Sequence, residues 1–123
     1  MMLLAMALVA SPVPPGDATI VFFRPKSLMG AALACPVRLK GRQIVDLGRG
    51  TFARVTARPG RYSFASKNPL PPIDAKPGGT YYVRCSIKLG IVGGRASLQA
   101  SDRAVFDRVG AEEREAEVAE LTP

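Results

Sequence analysis

Side chains able to move protons, attack carbonyl carbon or hold metals are few in this 123-residue chain, and those present stand apart. There is no histidine. That removes Ser/His/Asp and Cys/His nucleophile systems, the usual proton carrier near neutral pH and the commonest zinc ligand. Ser27, Ser63, Ser66, Ser86, Ser97 and Ser101 therefore have no histidine partner, and no motif supports a Ser/Lys dyad. Asp46, Asp74, Asp102 and Asp107 are isolated, and most fall at or near predicted turns. A hydrolase or isomerase working without histidine would need folding to bring Asp46 and Asp74 together. The glycine-rich Gly90-Ile91-Val92-Gly93-Gly94 has no Gly-Lys-Ser/Thr ending and follows no βα pattern, so it reads as a hairpin turn and not a phosphate loop. Gly48-Arg49-Gly50 is too short to be an RGG array. No catalytic residue, cofactor or metal site is predicted.

Two groups of residues remain. In residues 80–88 strict alternation puts Tyr81, Val83, Cys85 and Ile87 on one face and Tyr82, Arg84, Ser86 and Lys88 on the other. Tyr82, Arg84 and Lys88 then form a ligand surface in which an aromatic flanked by cations stacks a sugar or engages an anion. The plain alternative is a solvated strand face. The second group is Cys35 and Cys85. Cys35 shares an apolar face with Val37 and Leu39, as Cys85 does with Val83, so both sulfurs point inward. The choice lies between a disulfide closing a loop of about 50 residues and two buried thiols acting as small apolar groups.

The elements that must position these residues are short strands. Residues 19–24 are β-branched and aromatic and stop at Pro25. Residues 26–34 read as a loop, with room for a turn of helix. Residues 37–39 and 43–47 flank Lys40-Gly41-Arg42, a hairpin pattern. Further strands are predicted at 51–57, 61–66, 73–75, 80–89 and 95–100. Pro59-Gly60 suits a type II turn with positive φ at the glycine. Val105, Phe106 and Val109 add a last strand or begin a helix, and 111–121 has helix formers with few apolar residues. The expected fold is all-β: an antiparallel seven- to eight-stranded β-sandwich with a short C-terminal helix or frayed tail. The predicted organisation is a signal peptide or remnant with linker over 1–18, a sandwich over 19–110 and an acidic helical tail over 111–123.

Charge is unevenly spread. All five glutamates lie in the last twelve residues, which carry −4 with Arg114, whereas residues 1–111 carry +11. Such a body attracts polyanions, unless its cations merely solvate strand faces. Residues 1–10, MMLLAMALVA, form an apolar run of signal-peptide length that is too short to span a bilayer, followed by the non-helical Ser11-Pro12-Val13-Pro14-Pro15-Gly16. Cleavage is expected after Ala10 or after Ala18, although no cation precedes the run; an apolar element packed on the core is the alternative. No cysteine stands directly after it, so no lipid anchor and no membrane span are expected in the mature form.

Three segments together carry a family pattern: Ile20-Val21-Phe22-Phe23-Arg24-Pro25; then Lys40-Gly41-Arg42, Leu47-Gly48, Thr51-Phe52 and Arg58-Pro59-Gly60-Arg61-Tyr62; then Lys76-Pro77-Gly78-Gly79-Thr80-Tyr81-Tyr82-Val83-Arg84. Over roughly residues 18–100 the chain resembles the bacterial domain-of-unknown-function family 2846. The resemblance implies a small envelope protein with a transthyretin-like or immunoglobulin-like sandwich, and it carries over no catalytic residue. The lipoprotein cysteine of many members is absent here. The function expected is a non-enzymatic periplasmic or secreted module that binds another envelope protein or an anionic cell-wall polymer. The alternative is a cytosolic basic β-barrel binding single-stranded nucleic acid through Phe22-Phe23-Arg24 and Tyr82 with Arg84.

Overall fold

The computed structural model describes residues 16–26, 33–90 and 93–123, and of residues 88–90 and 93 the backbone alone. The apolar N-terminal run with its cleavage point at Ala10, most of the loop at 26–34 and the tip of the turn at 90–94 lie outside the described residues. The chain forms β1 (Ala18–Phe23), β2 (Pro36–Leu39), β3 (Arg42–Asp46), β4 (Thr51–Ala57), β5 (Gly60–Tyr62), β6 (Phe64–Ala65), β7 (Ile73–Ala75), β8 (Thr80–Gly90) and β9 (Gly93–Ser101). The helix α1 (Arg103–Val109) and two short strands, β10 (Glu112–Glu113) and β11 (Glu120–Leu121), follow. The strands make three sheets: β10-β4-β1-β8-β9 with β11 also on β4, β3-β2-β6, and β5-β7. None of these orders closes on itself.

The chain is therefore all-β with one short helix. Seven to eight strands are expected; the stretch at 61–66 splits between two sheets as β5 and β6, and the tail adds two more. The purely antiparallel expectation is corrected. β1 lies antiparallel to β4 but parallel to β8, and β10 and β11 run parallel to β4. Sequence-adjacent hairpins must be antiparallel, but β1 and β8 are joined through most of the domain, and such a long connection leaves the direction free.

One core serves all three sheets. Ile20 and Phe22 of β1, Val55 of β4, Val83 and Cys85 of β8, Val37 of β2, Ile44 and Val45 of β3, Tyr62 of β5, Phe64 of β6 and Ala75 of β7 are buried in the same cluster. Phe22 meets Phe64 edge-on at 5.0 Å, and Phe64 stacks on Tyr62 at 5.7 Å. Cys35 and Cys85 are both fully buried and joined as a disulfide, their Cα atoms 6.7 Å apart. Among the described residues there is no free cysteine.

Turn chemistry follows local sequence closely at one hairpin. Lys40 and Gly41 have φ of 54° and 79°, as a two-residue turn of type I′ requires between strands of right-handed twist. Gly60 differs from expectation. Its φ is 151°, not the roughly +80° of a type II turn, and the residue already belongs to β5. A Cβ at Gly60 would lie 2.3 Å from Cγ of Pro123, so the glycine makes room for the C-terminus.

The tail is not helical. β10 and β11 extend the β4 edge, while Ala116 and Val118 pack against the core and Leu121 is buried. The helix lies earlier, at 103–109. Asp102 caps it by accepting from the Val105 N–H at 2.9 Å, and Gly110 closes it in the left-handed conformation. Phe106 lies 5.3 Å from Phe23, 5.0 Å from Phe52 and 5.5 Å from Tyr82, so α1 covers the side of the large sheet opposite the core.

Candidate functional site

The expected surface of Tyr82, Arg84 and Lys88 is divided by this helix. Strand pairing sets Phe52, Phe23, Arg84 and Gln99 in one cross-strand row, and Arg54, Val21, Tyr82 and Ser101 in the next. Tyr82 packs on Phe106 and lines a cavity of about 290 Å³ with Thr80, Ser101, Asp102 and Arg103. Arg84 does not line that cavity; it is half-buried, and its Nε is buried with no hydrogen-bond partner. The Lys88 side chain lies outside the described residues. Phe22, Phe23 and Arg24 are buried, with at most 3% exposure, so this aromatic-cation triplet offers no base-stacking face.

Two polar side chains, the buried Arg24 and the half-buried Asp46, are fixtures of the fold. Arg24 directly follows β1, and its guanidinium donates to the carbonyls of Leu33 at 2.6 Å and Leu47 at 3.1 Å. Burial lowers its pKa from the ordinary arginine value; Asp46 acts against the shift and Arg49 with it. Asp46 accepts from the N–H of Cys35 at 3.2 Å, and Leu47 N–H donates to the Cys35 carbonyl, so the disulfide loop is tied to the same corner. Asp74 is engaged elsewhere, opposite Arg61 in the β5-β7 pair at 3.9 Å. The two aspartates thus sit in different sheets with different partners.

A third place was not found from sequence. A cavity of about 390 Å³ opens between β9 and the β2-β6 pair. Arg38 of β2, Lys67 just after β6 and Arg95 of β9 line it, over small residues that include Ala34, Pro36 and Ala96. No carboxylate lines it among the described residues, and none of the three cations forms an ion pair with another described residue. Ser66 also lines it; the residue is 8% exposed and its hydroxyl is buried without a partner. These residues are spread over 58 positions of the chain, and the pairing of β2 with β6 and the approach of β9 to that pair bring them together. An isolated Arg in a short alternating strand gives no local sign of that.

The acidic tail lies on the other side of the charge distribution. Glu113 pairs with Arg54 at 3.6 Å, Glu120 with Arg58 at 3.4 Å, and Glu117 accepts from Gln43 at 2.7 Å. The tail therefore screens the β4 edge, while β9 is the opposite edge of the same sheet.

An all-β domain held by a core disulfide, with a basic cavity between its sheets, is the class that fold and site define. The profile of the family described as "Protein of unknown function (DUF2846)" matches residues 14–95. The chain belongs to that family. Comparison with curated proteins and with solved structures returns no match.

Proposed function

We propose that this chain is an exported, non-enzymatic module that binds an anionic cell-wall polymer or another envelope protein. The observation that carries the reading is the Cys35–Cys85 disulfide in the middle of the core. Such bonds form and persist in oxidising compartments and are rare in the cytosol. The apolar run at residues 1–10 fits the same compartment. Cleavage after Ala10 suits the fold better than cleavage after Ala18, because Ala18 is buried in β1 opposite Ala57.

The architecture that supports this reading is a two-layer sandwich. Its layers are the large sheet and the β3-β2-β6 sheet, with β5-β7 closing one end. The shared core and the Phe22–Phe64 contact favour it. So does Tyr62, whose hydroxyl lies 2.6 Å from the carbonyl oxygen of Arg58, four residues upstream, in the manner of the tyrosine corner of such sandwiches.

The test is the intact mass of the protein from its native host, before and after reduction, followed by crosslinking in intact cells and a wall-sedimentation assay. Loss of the N-terminal segment, a mass two hydrogens lower before reduction, and capture on wall material or on one envelope partner are expected. A full-length chain with free thiols would overturn the export reading. A processed chain that neither crosslinks nor sediments would overturn the binding reading.

A further inference from the structure

We infer that the cavity between β9 and the β2-β6 pair binds a phosphate monoester carried on a sugar. The inference deepens the binding reading above and names the chemistry of its ligand.

Arg38, Lys67 and Arg95 come from three separate segments and carry three positive charges around one cavity without an acid among its lining residues. Like charges gathered in this way repel one another, and a bound anion removes the repulsion. Three of the chain's acids are engaged elsewhere: Glu113 and Glu120 are paired on the β4 edge, and Asp46 holds the Cys35 N–H. The volume of about 390 Å³ suits a small organic ligand, not a bare ion. Ala34, Pro36 and Ala96 give it an apolar wall. Such a wall lowers the local dielectric and strengthens each charge contact, and it accepts the carbon face of a sugar.

Ser66 is the independent observation. More than nine-tenths of the residue is buried, and its hydroxyl has no partner. A buried hydroxyl left unpaired is unfavourable, and because the residue lines the cationic cavity, a turn about its Cα–Cβ bond presents the donor to a ligand oxygen. A phosphate monoester presents three terminal oxygens and close to two negative charges. Two arginine forks and one ammonium match that set, whereas the two oxygens and single charge of a carboxylate leave cations uncompensated.

The experiment is an amide NMR titration of the oxidised full chain with glucose 6-phosphate, with glucuronate and glucose as comparison ligands, at 0.15 M NaCl. Saturable shifts centred on Ser66, Lys67 and Arg95 are expected with the phosphate, with at least tenfold weaker binding of glucuronate and none of glucose. Arg38→Gln and Arg95→Gln, both exposed positions, should each weaken binding about tenfold with the rest of the spectrum unchanged. Ser66→Ala should weaken it as well while raising the melting temperature of the free protein. Dextran displaying the same sugar phosphate separates the sources: tighter binding places the group on a polymer, and equal binding places it on a free sugar. Shifts scattered over all basic residues and unchanged in Arg95→Gln, or glucuronate binding as tightly as the phosphate, would overturn the inference. Sedimentation of the native protein with wall material alongside such a failure would remove the phosphate site and leave the binding reading standing.

Discussion

At the scale of single residues, the buried polar groups do more for this fold than the exposed ones. Tyr62 is fully buried, and its hydroxyl reaches the carbonyl oxygens of Arg58 at 2.6 Å and Leu121 at 3.0 Å. One proton serves both, and it ties the end of β4 to the C-terminal strand. Burial raises the phenol's pKa above its ordinary value near 10; Glu120 and Asp17 push the same way, and Arg58 opposes them. A raised folded-state pKa means that the stabilisation is complete below pH 10 and is lost as pH climbs through the folded value. Tyr62→Phe should cost about 1 kcal/mol at pH 7, because the Arg58 and Leu121 carbonyls lose their shared donor while Leu121 keeps the N–H of Arg58 at 2.9 Å. The gap between wild type and Tyr62→Phe in urea denaturation should narrow above about pH 10. A gap that stays constant from pH 7 to 11 would show that the phenol proton is not what holds Leu121. Residues of this kind are hard to read from sequence. Tyr62 falls on the predicted apolar face, but its partner at Leu121 lies 59 residues away. Arg24 is harder still, since an arginine closing an apolar strand looks like any surface cation until the chain folds over it.

At the scale of elements, legibility followed periodicity. β4 and β7 begin and end where the sequence predicts, and β8 comes within one residue, because alternation and Gly or Pro breaks coincide there. The residues at 103–109 were ambiguous, since Val105, Phe106 and Val109 suit either period; Asp102 and Gly110 at the two ends carry the helix signal. The unbroken run Ile20-Val21-Phe22-Phe23 also shows that β1 is covered on both faces, and α1 supplies part of the second cover. The tail misleads because its glutamates and alanines favour a helix, whereas Ala116 and Val118 are spaced for a strand-like segment laid on the core. A seven-residue helix is marginal by itself, so α1 depends on Phe106. Phe106→Ala should cost about 1–2 kcal/mol, because the ring is only partly buried. It should also abolish hydrogen-exchange protection of the Phe106 amide, which bonds the Asp102 carbonyl at 3.1 Å, while β1 and β8 stay protected. Retained protection at Phe106 would show that the caps alone hold the helix.

At the scale of the whole molecule, two long-range features stand out, and the sequence shows each only in part. The segregation of charge into a +11 body and a −4 tail is plain in the sequence. The structure adds that the tail spends its acids along β4 and β3, leaving the cations beside β9 without counter-charges among the cavity's lining residues. The inward direction of Cys35 and Cys85 is equally plain, but whether they meet depends on how distant strands pack around the core, which alternation cannot specify. Their bond spans 50 residues and joins the large sheet to the segment leading into β2. In the chain-entropy account a closure of that length contributes about 4 kcal/mol. A domain of this size has roughly 5–15 kcal/mol in total, so the bond supplies a large share of it. Reduction should therefore lower the melting temperature by roughly 12–20 °C. Cys35→Ala combined with Cys85→Ala should melt at least as low and show no further response to reductant. A calorimetric scan with and without phosphine reductant measures this directly. A melting temperature unmoved by a reductant that mass spectrometry shows to have acted would mean that packing alone holds the sheets together. The compartment argument would then lose its physical basis, because a fold indifferent to its disulfide has no need of an oxidising environment.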